Sequence, residues 1–169
     1  IQQMLKANGS ALVDEVKINN MGNVYAIKKG RSAKKVMIGA HMDEIGFIVN
    51  YIDDKGFVRF HPLGGFDPKT LTSQRVIIHG KEDVMGVMGS KPIHVMSPEE
   101  RTKGAKITDY FIDLGMSKEE VEKIVTIGDP ITRYSELKEL GNCVNCKSID
   151  NRVSVFILTF MVYLLYKKK

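Results

Sequence analysis

Short apolar runs bounded by turn residues dominate the pattern of hydrophobic and polar positions along this chain. The run at 36–40 is typical of a buried strand. The runs at 45–51 and 57–60 flank turn residues at 53–56, and this arrangement predicts a β-hairpin. Between residues 75 and 96 three further runs are separated by glycines, which predicts a small β-barrel or sandwich.

Two capping-box sequences predict short helices, because each places a glutamate three residues after a serine. The first, at 97–100, opens a helix that must end before Gly104. The second begins at Ser117 and opens a helix that we expect to continue through Ile124. The segment 109–114 between them is predicted to be a strand.

The segment Val153–Tyr166 is apolar apart from Ser154 and Thr159. Its 14 residues fall short of the roughly 18–20 that a membrane-spanning helix needs. We therefore expect a helix buried on all sides within a larger protein, and a lysine-flanked membrane anchor is the alternative. In both cases a helix that is hydrophobic around its whole circumference needs protein or lipid packed against its apolar surface.

The composition is that of a globular protein. Of the 169 residues, 43% are hydrophobic and 27% are charged, which excludes a disordered or collagen-like chain. Three of the five net positive charges come from Lys167, Lys168 and Lys169, so the rest of the chain carries only +2. Because no basic stripe with interleaved aromatic residues occurs, we expect no nucleic-acid partner.

The two cysteines, Cys143 and Cys146, are too few for the disulfide scaffold of a small secreted protein. No signal-peptide pattern occurs near the start of the sequence, so we expect a reducing, cytoplasmic environment. A structural role is the first expectation for the C-x-x-C spacing, and half of a zinc knuckle or a redox pair are the alternatives.

Candidate metal chemistry begins at His41, which follows the predicted strand at 36–40. The ends of strands are where α/β proteins collect their ligand-binding groups. A histidine binds a metal through one ring nitrogen, and a carboxylate such as Asp43 can hold the other nitrogen. A hydrogen-bonded structural histidine is the alternative.

Asp150 precedes the apolar helix, so it is either an N-cap or a carboxylate that bridges two metal ions. If His41 and Asp150 share ions, their nearest side-chain atoms should lie within about 6 Å.

Four sequence strings carry a family resemblance: Ala-His-Met-Asp-Glu-Ile-Gly-Phe at 40–47, Gly-Gly-Phe-Asp-Pro-Lys-Thr-Leu at 64–71, Phe-Ile-Asp-Leu-Gly at 111–115 and Asp-Asn-Arg at 150–152. In this order and spacing they resemble the glutamyl and tetrahedral aminopeptidase family of metallopeptidases. Some members of that family carry the label cellulase M or endoglucanase.

The resemblance implies an α/β fold made of two domains. Residues 1–47 and 141–169 would form part of a three-layer α/β/α, zinc-peptidase-like catalytic domain, incomplete in this chain. Residues 48–140 would form an inserted, β-rich, barrel-like dimerisation domain.

The resemblance also implies a site with two divalent metal ions, zinc or cobalt. His41 would bind one metal, Asp150 would bridge both, and Asp43 would be the catalytic-site residue that orients His41. The catalytic glutamate of the family is absent from this chain, because the glutamate pairs at 99–100 and 119–120 precede Asp150 and belong to capping boxes.

The function implied by the resemblance is the metal-dependent hydrolysis of N-terminal residues from peptides. The protein would form a homo-oligomer through the inserted domain, in the cytoplasm, without a membrane or nucleic-acid partner. Because the remaining ligands of the family have no counterpart here, we expect this chain to be truncated and inactive alone. The alternatives are a non-catalytic oligomerisation or interaction module and a pseudoenzyme remnant.

Overall fold

A computed structural model describes residues 12–167, which divide into two compact units. One unit is Glu44–Lys147, and the other consists of the residues up to Asp43 together with those from Ser148 onward. The Glu44–Lys147 unit, called the barrel unit below, extends a few residues beyond the predicted 48–140 at both ends. Dimerisation through it stays a prediction.

The second unit contains a β-hairpin formed by β1 (Glu15–Ile18) and β2 (Val24–Ile27), which pair antiparallel. The Asn19 side chain accepts hydrogen bonds from the backbone N–H groups of Met21 and Asn23 and so shapes the turn. Asparagine suits this position because its side chain can replace backbone hydrogen-bond partners in a tight turn.

The apolar run at 36–40 was expected to be a buried strand, and this prediction is wrong. Residues 35–45 have no regular secondary structure, and Val36 and Met37 are 85% and 90% exposed. A strand needs a neighbour that pairs with its N–H and C=O groups. Among residues 12–167 no strand pairs with this segment, so its hydrophobic sequence alone does not produce one.

The barrel unit is built on a closed antiparallel barrel of six strands, which confirms the predicted β-barrel. Its strands are β3 (Gly46–Ile52), β4 (Val58–Leu63), β5 (Arg75–His79), β6 (Asp83–Ser90), β7 (Tyr110–Asp113) and β8 (Pro130–Arg133). Their order around the barrel is β3-β4-β7-β6-β5-β8, and β8 closes it by pairing with β3. A further hairpin, β9 (Lys138–Leu140) and β10 (Cys143–Asn145), completes the strands of the unit.

Most local signals in the barrel unit produce the elements that they predict. The third predicted run between 75 and 96 is the exception: Ile93–Val95 forms a 3₁₀ helix, and among the described residues no strand pairs with it. The turn at 53–56 joins β3 to β4, and Gly56 adopts a φ of 85°, which favours glycine. The capping boxes at Ser97 and Ser117 open α1 (Pro98–Thr102) and α2 (Lys118–Ile124). The three-layer α/β/α arrangement is not confirmed by the described residues and stays a prediction.

The hydrophobic core fills the barrel and extends under α2. Phe47 is fully buried, with its ring edge-on to Phe60 at 4.9 Å and stacked on Phe66 at 4.2 Å between ring centroids. The remaining buried members are Val49, Ile52, Val58, Leu71, Val76, Ile78, Met88, Tyr110, Ile112, Val121, Val125 and Ile131. The barrel unit therefore has a core of its own.

The C-terminal helix α3 (Ile149–Lys167) has no residue buried by the described part of the chain, and its expected burial within a larger protein stays a prediction. Phe156, Phe160 and Tyr163 follow one another along the helix with ring centroids 6.2 Å apart. By length and composition alone its 19 residues are sufficient to cross a membrane, as are those of many core helices in soluble proteins. The sequence thus identifies the helix correctly, whereas the described residues supply no cover for it.

We expect α3 to make the chain bind hydrophobic dyes or associate with itself. Exposed apolar surface of this kind drives association. Replacing Phe156 and Phe160 with serine should lower 8-anilinonaphthalene-1-sulfonate fluorescence and the mass measured by light scattering. The control variant Tyr51→Ser removes an exposed aromatic residue from the barrel unit instead. A parent chain that is a monodisperse monomer with low dye binding would contradict the expectation.

Candidate metal centre

His41 lies between two carboxylates, one for each ring nitrogen. Its Nδ1 is 3.0 Å from Asp43 Oδ1, and its Nε2 is 3.2 Å from Asp150 Oδ1. The expected approach of His41 to Asp150 within about 6 Å is therefore confirmed, across 109 positions of the sequence. Metal binding by these residues stays a prediction.

The start of α3 sets the position of Asp150. Asp150 and Asn151 have non-helical backbone angles, so the regular part of the helix begins after them. Within residues 12–167 the Asp150 carboxylate contacts His41 and accepts no backbone N–H from the first turn of the helix. The described contacts therefore do not show Asp150 as an N-cap, and its role as a metal ligand stays a prediction.

A second contact joins the same two segments. Arg152 Nε donates a hydrogen bond of 3.3 Å to the carbonyl oxygen of Met42, the residue between His41 and Asp43. Sequence reasoning missed this role, although Arg152 is part of the Asp-Asn-Arg string. The contact helps to hold the irregular segment that carries His41, because that segment belongs to no sheet.

The donor set of this pair fits a zinc or cobalt ion. Imidazole nitrogen and carboxylate oxygen are ligands that both metals accept. Two such atoms, each about 2.1 Å from a tetrahedral zinc, would lie about 3.4 Å apart. The observed separation of 3.2 Å between Nε2 and Oδ1 is close to this value. Asp43 on Nδ1 would leave Nε2 as the metal-binding nitrogen.

The two carboxylates raise the pKa of His41 above its usual value of 6.5. The hydrogen bond that the His41 ring donates to Asp43 is the largest cause of the raised pKa, and the bond to Asp150 acts in the same direction. Both carboxylates are well exposed, with 86% of the Asp43 side chain and 96% of the Asp150 side chain accessible. If a metal ion binds Nε2, it will compete with protons for the same imidazole.

We expect metal affinity to fall as the pH decreases through the raised pKa of His41. Below that pKa, protonation of the imidazole removes the ligand, and the affinity should drop about tenfold per pH unit. The variant Asp43→Asn should lower the His41 pKa, as measured from its ring-proton shifts by NMR. Asp83→Asn, which removes a carboxylate hydrogen-bonded to His79, is the matched control. An unchanged His41 pKa in Asp43→Asn would contradict the expectation.

Among residues 12–167 no third candidate ligand joins this pair. The described residues contain no group of three or more His, Cys, Asp or Glu side chains that could hold a metal. Residues 1–11 and 168–169, outside the described range, contain none of these residue types in the sequence. Zinc in catalytic sites normally has three protein ligands and a water molecule, so the pair by itself is an incomplete site.

The other candidate residues lie in the barrel unit, where several have structural contacts. His79 Nδ1 donates to Asp83 Oδ1 at 2.7 Å, and its Nε2 forms a hydrogen bond of 2.9 Å with the Thr132 hydroxyl. Glu100 and Glu120 complete their capping boxes with Ser97 and Ser117. The two cysteines are free thiols; Cys143 is exposed and Cys146 is half-buried.

Comparisons with known proteins agree on one family. The sequence profile of a family described as M42 glutamyl aminopeptidase matches residues 22–169. A lysyl aminopeptidase from Pyrococcus furiosus is 42% identical over 136 residues, which cover 76% of this chain and 39% of that relative.

Solved structures give the same result. A TET aminopeptidase from a Thaumarchaeota archaeon matches with a TM-score of 0.90 and 34% identity over 98% of this chain and 48% of that one. The TET1 peptidase of Pyrococcus horikoshii, described as assembling into a tetrahedron or a large octahedral shell, matches with a TM-score of 0.73 and 26% identity. This chain covers 51% of the length of that peptidase. It therefore spans about half or less of the length of each of these three proteins.

Proposed function

Because this chain belongs to the M42 glutamyl aminopeptidase family, we propose that it forms part of a metal-dependent aminopeptidase and supplies His41 and Asp150 to a two-metal centre. The observation that carries the proposal is the 3.2 Å contact between His41 Nε2 and Asp150 Oδ1. The family match favours hydrolysis of N-terminal residues from peptides over other metal-dependent reactions.

Each residue of the site has a distinct task in this proposal. Asp43 accepts a hydrogen bond from His41 Nδ1–H and so keeps the imidazole in the tautomer that presents Nε2. Asp150 has two carboxylate oxygens, which suits a ligand shared by two ions. Arg152 holds the Met42 carbonyl and thereby orients the segment between His41 and Asp43. The bound ions, zinc or cobalt, would polarise the substrate carbonyl and activate a water molecule.

The 169-residue chain contributes these ligands but no residue that we assign as general base. We propose that it is truncated relative to the complete enzyme and inactive alone. The partly formed catalytic domain would belong to a three-layer α/β/α domain, and the barrel unit would be its inserted dimerisation domain. A homo-oligomer is supported by the assemblies described for the Pyrococcus horikoshii relative. The proposed location is the cytoplasm.

Metal titration of the purified chain tests the proposal. We expect isothermal titration with cobalt or zinc to detect one weak site, and His41→Ala and Asp150→Asn each to weaken it by about tenfold or more. The matched control is His94→Ala, which removes an exposed histidine of the barrel unit. Equal metal binding by the parent chain and both site variants would rule the proposal out.

The second candidate function is a non-catalytic oligomerisation module. It is favoured by the closed barrel, which has its own core, alongside a metal pair that lacks a third ligand. Light scattering separates the two candidates when it is combined with the titration. A stable oligomer without any metal binding would favour the module.

A further inference from the structure

The barrel unit contains a polar pocket that the metal pair does not use. Its volume is about 290 Å³, and its walls are formed by Gln74, Arg133, Ser135, Asn145, Cys146 and Lys147. These residues come from the segment before β5, from the end of β8 and from the chain around the end of β10. Most of the walls are thus side chains that can donate hydrogen bonds.

The charge balance of the pocket is positive. Two cationic side chains, Arg133 and Lys147, line it, and no aspartate or glutamate does. Lys147 already donates to Glu44 Oε1 at 3.1 Å. Within the described part of the chain no carboxylate forms an ion pair with Arg133, so its charge is available for a ligand.

The Arg133 side chain is held in place before any ligand arrives. Its backbone lies in β8, in register with Val76 of β5. Its guanidinium carbon Cζ lies 5.7 Å from the centre of the Phe66 ring, in a cation–π contact, and the residue is half-buried. A planar group that is already oriented loses little conformational freedom on binding.

We propose that this pocket is a carboxylate subsite and that its occupant is the C-terminal carboxylate of a short peptide. A carboxylate matches the two parallel N–H donors of a guanidinium, and Gln74, Ser135 and Asn145 offer further donors. Inorganic phosphate presents similar oxygen acceptors. The choice of a peptide as the occupant rests on the proposed aminopeptidase function. The expectation that the pocket binds an anion rests only on the residues that line it.

Metal-free ¹H–¹⁵N NMR of the 169-residue chain tests this subsite with three probes: trialanine, trialanine amide and inorganic phosphate. We expect trialanine to shift the amide signals of Ser135 and Asn145 and to bind at least about tenfold more tightly than its amide. Equal binding of the two peptides, or no binding of trialanine, would overturn the proposal. Phosphate binding without trialanine binding would overturn the peptide assignment. Since no metal is present, failure of the metal site does not affect this result.

Two variants of Arg133 test whether this residue binds the carboxylate of trialanine. Arg133→Gln should weaken trialanine binding by at least about tenfold, and Arg133→Lys should restore only part of it because lysine lacks the fork of donors. Arg75→Gln is the matched control: Arg75 also stacks on an aromatic ring, that of Tyr134 at 5.6 Å, but does not line the pocket. If the unfolding temperatures of the variants equal that of the parent chain, weaker binding is not caused by loss of folding. Equal losses in Arg75→Gln and Arg133→Gln would contradict the assignment.

Discussion

No aminopeptidase turnover above background is expected from the purified 169-residue chain in the presence of zinc or cobalt. The described residues offer two candidate metal ligands, His41 and Asp150, and no group of three. A positioned general base typically contributes about 10²–10⁴-fold to the rate, and an incomplete ligand set reduces the rate further. The measurement is the rate of hydrolysis of aminoacyl p-nitroanilides in the presence of about 0.1 mM metal.

The controls for this experiment use the same variants as the metal titration. Hydrolysis that requires metal, disappears in His41→Ala and persists in His94→Ala would contradict the expected inactivity. Such a result would mean that other residues of the chain complete the site. Equal background rates in all three proteins would agree with the expectation, and a contaminating peptidase is recognised because its activity does not depend on His41.

Replacing Phe47 with alanine is expected to destabilise the barrel unit by about 3–5 kcal/mol. The Phe47 ring is fully buried between Phe60 and Phe66, so its removal eliminates apolar burial and leaves a cavity. This loss is a large share of the roughly 5–15 kcal/mol that stabilises a typical domain. Urea unfolding followed by circular dichroism measures the change in the free energy of unfolding.

The matched control lies on the same strand. Tyr51 is an aromatic residue of β3 with 51% of its surface exposed, and Tyr51→Ala should change stability by about 0.5 kcal/mol or less. If Phe47→Ala cost no more than Tyr51→Ala, the core described for the barrel would be incorrect.

Elements whose determinants lie within a few residues could be predicted from the sequence. The capping boxes at Ser97 and Ser117 form because the serine and the glutamate three positions later bond to each other's backbone N–H groups. The turn at Asp53 is similar, since Asp53 Oδ1 accepts the backbone N–H groups of Lys55 and Phe57. These contacts depend little on the rest of the chain.

The contacts of the candidate site could be predicted only in part from the sequence. The sequence strings identified His41, Asp43 and Asp150 as candidates. The contact between His41 and Asp43 is local, because the two residues are only two positions apart. The distance between His41 and Asp150 depends on how the chain folds across 109 positions. The bond from Arg152 to the Met42 carbonyl was missed because a backbone acceptor carries no residue-type signal.

The sequence by itself determined the turn at 53–56, the helix caps at Ser97 and Ser117, the barrel strands β3 to β7 and the apolar character of α3. It did not predict β8, the strand that closes the barrel. Only the tertiary structure decided which apolar segments have a cover. The run at 36–40 and the helix α3 are both hydrophobic, yet Val36 and Phe156 are 85% and 68% exposed, whereas Phe47 is fully buried. Hydrophobicity is a property of a residue, but burial requires a packed neighbour, and that neighbour is supplied by contacts distant in sequence.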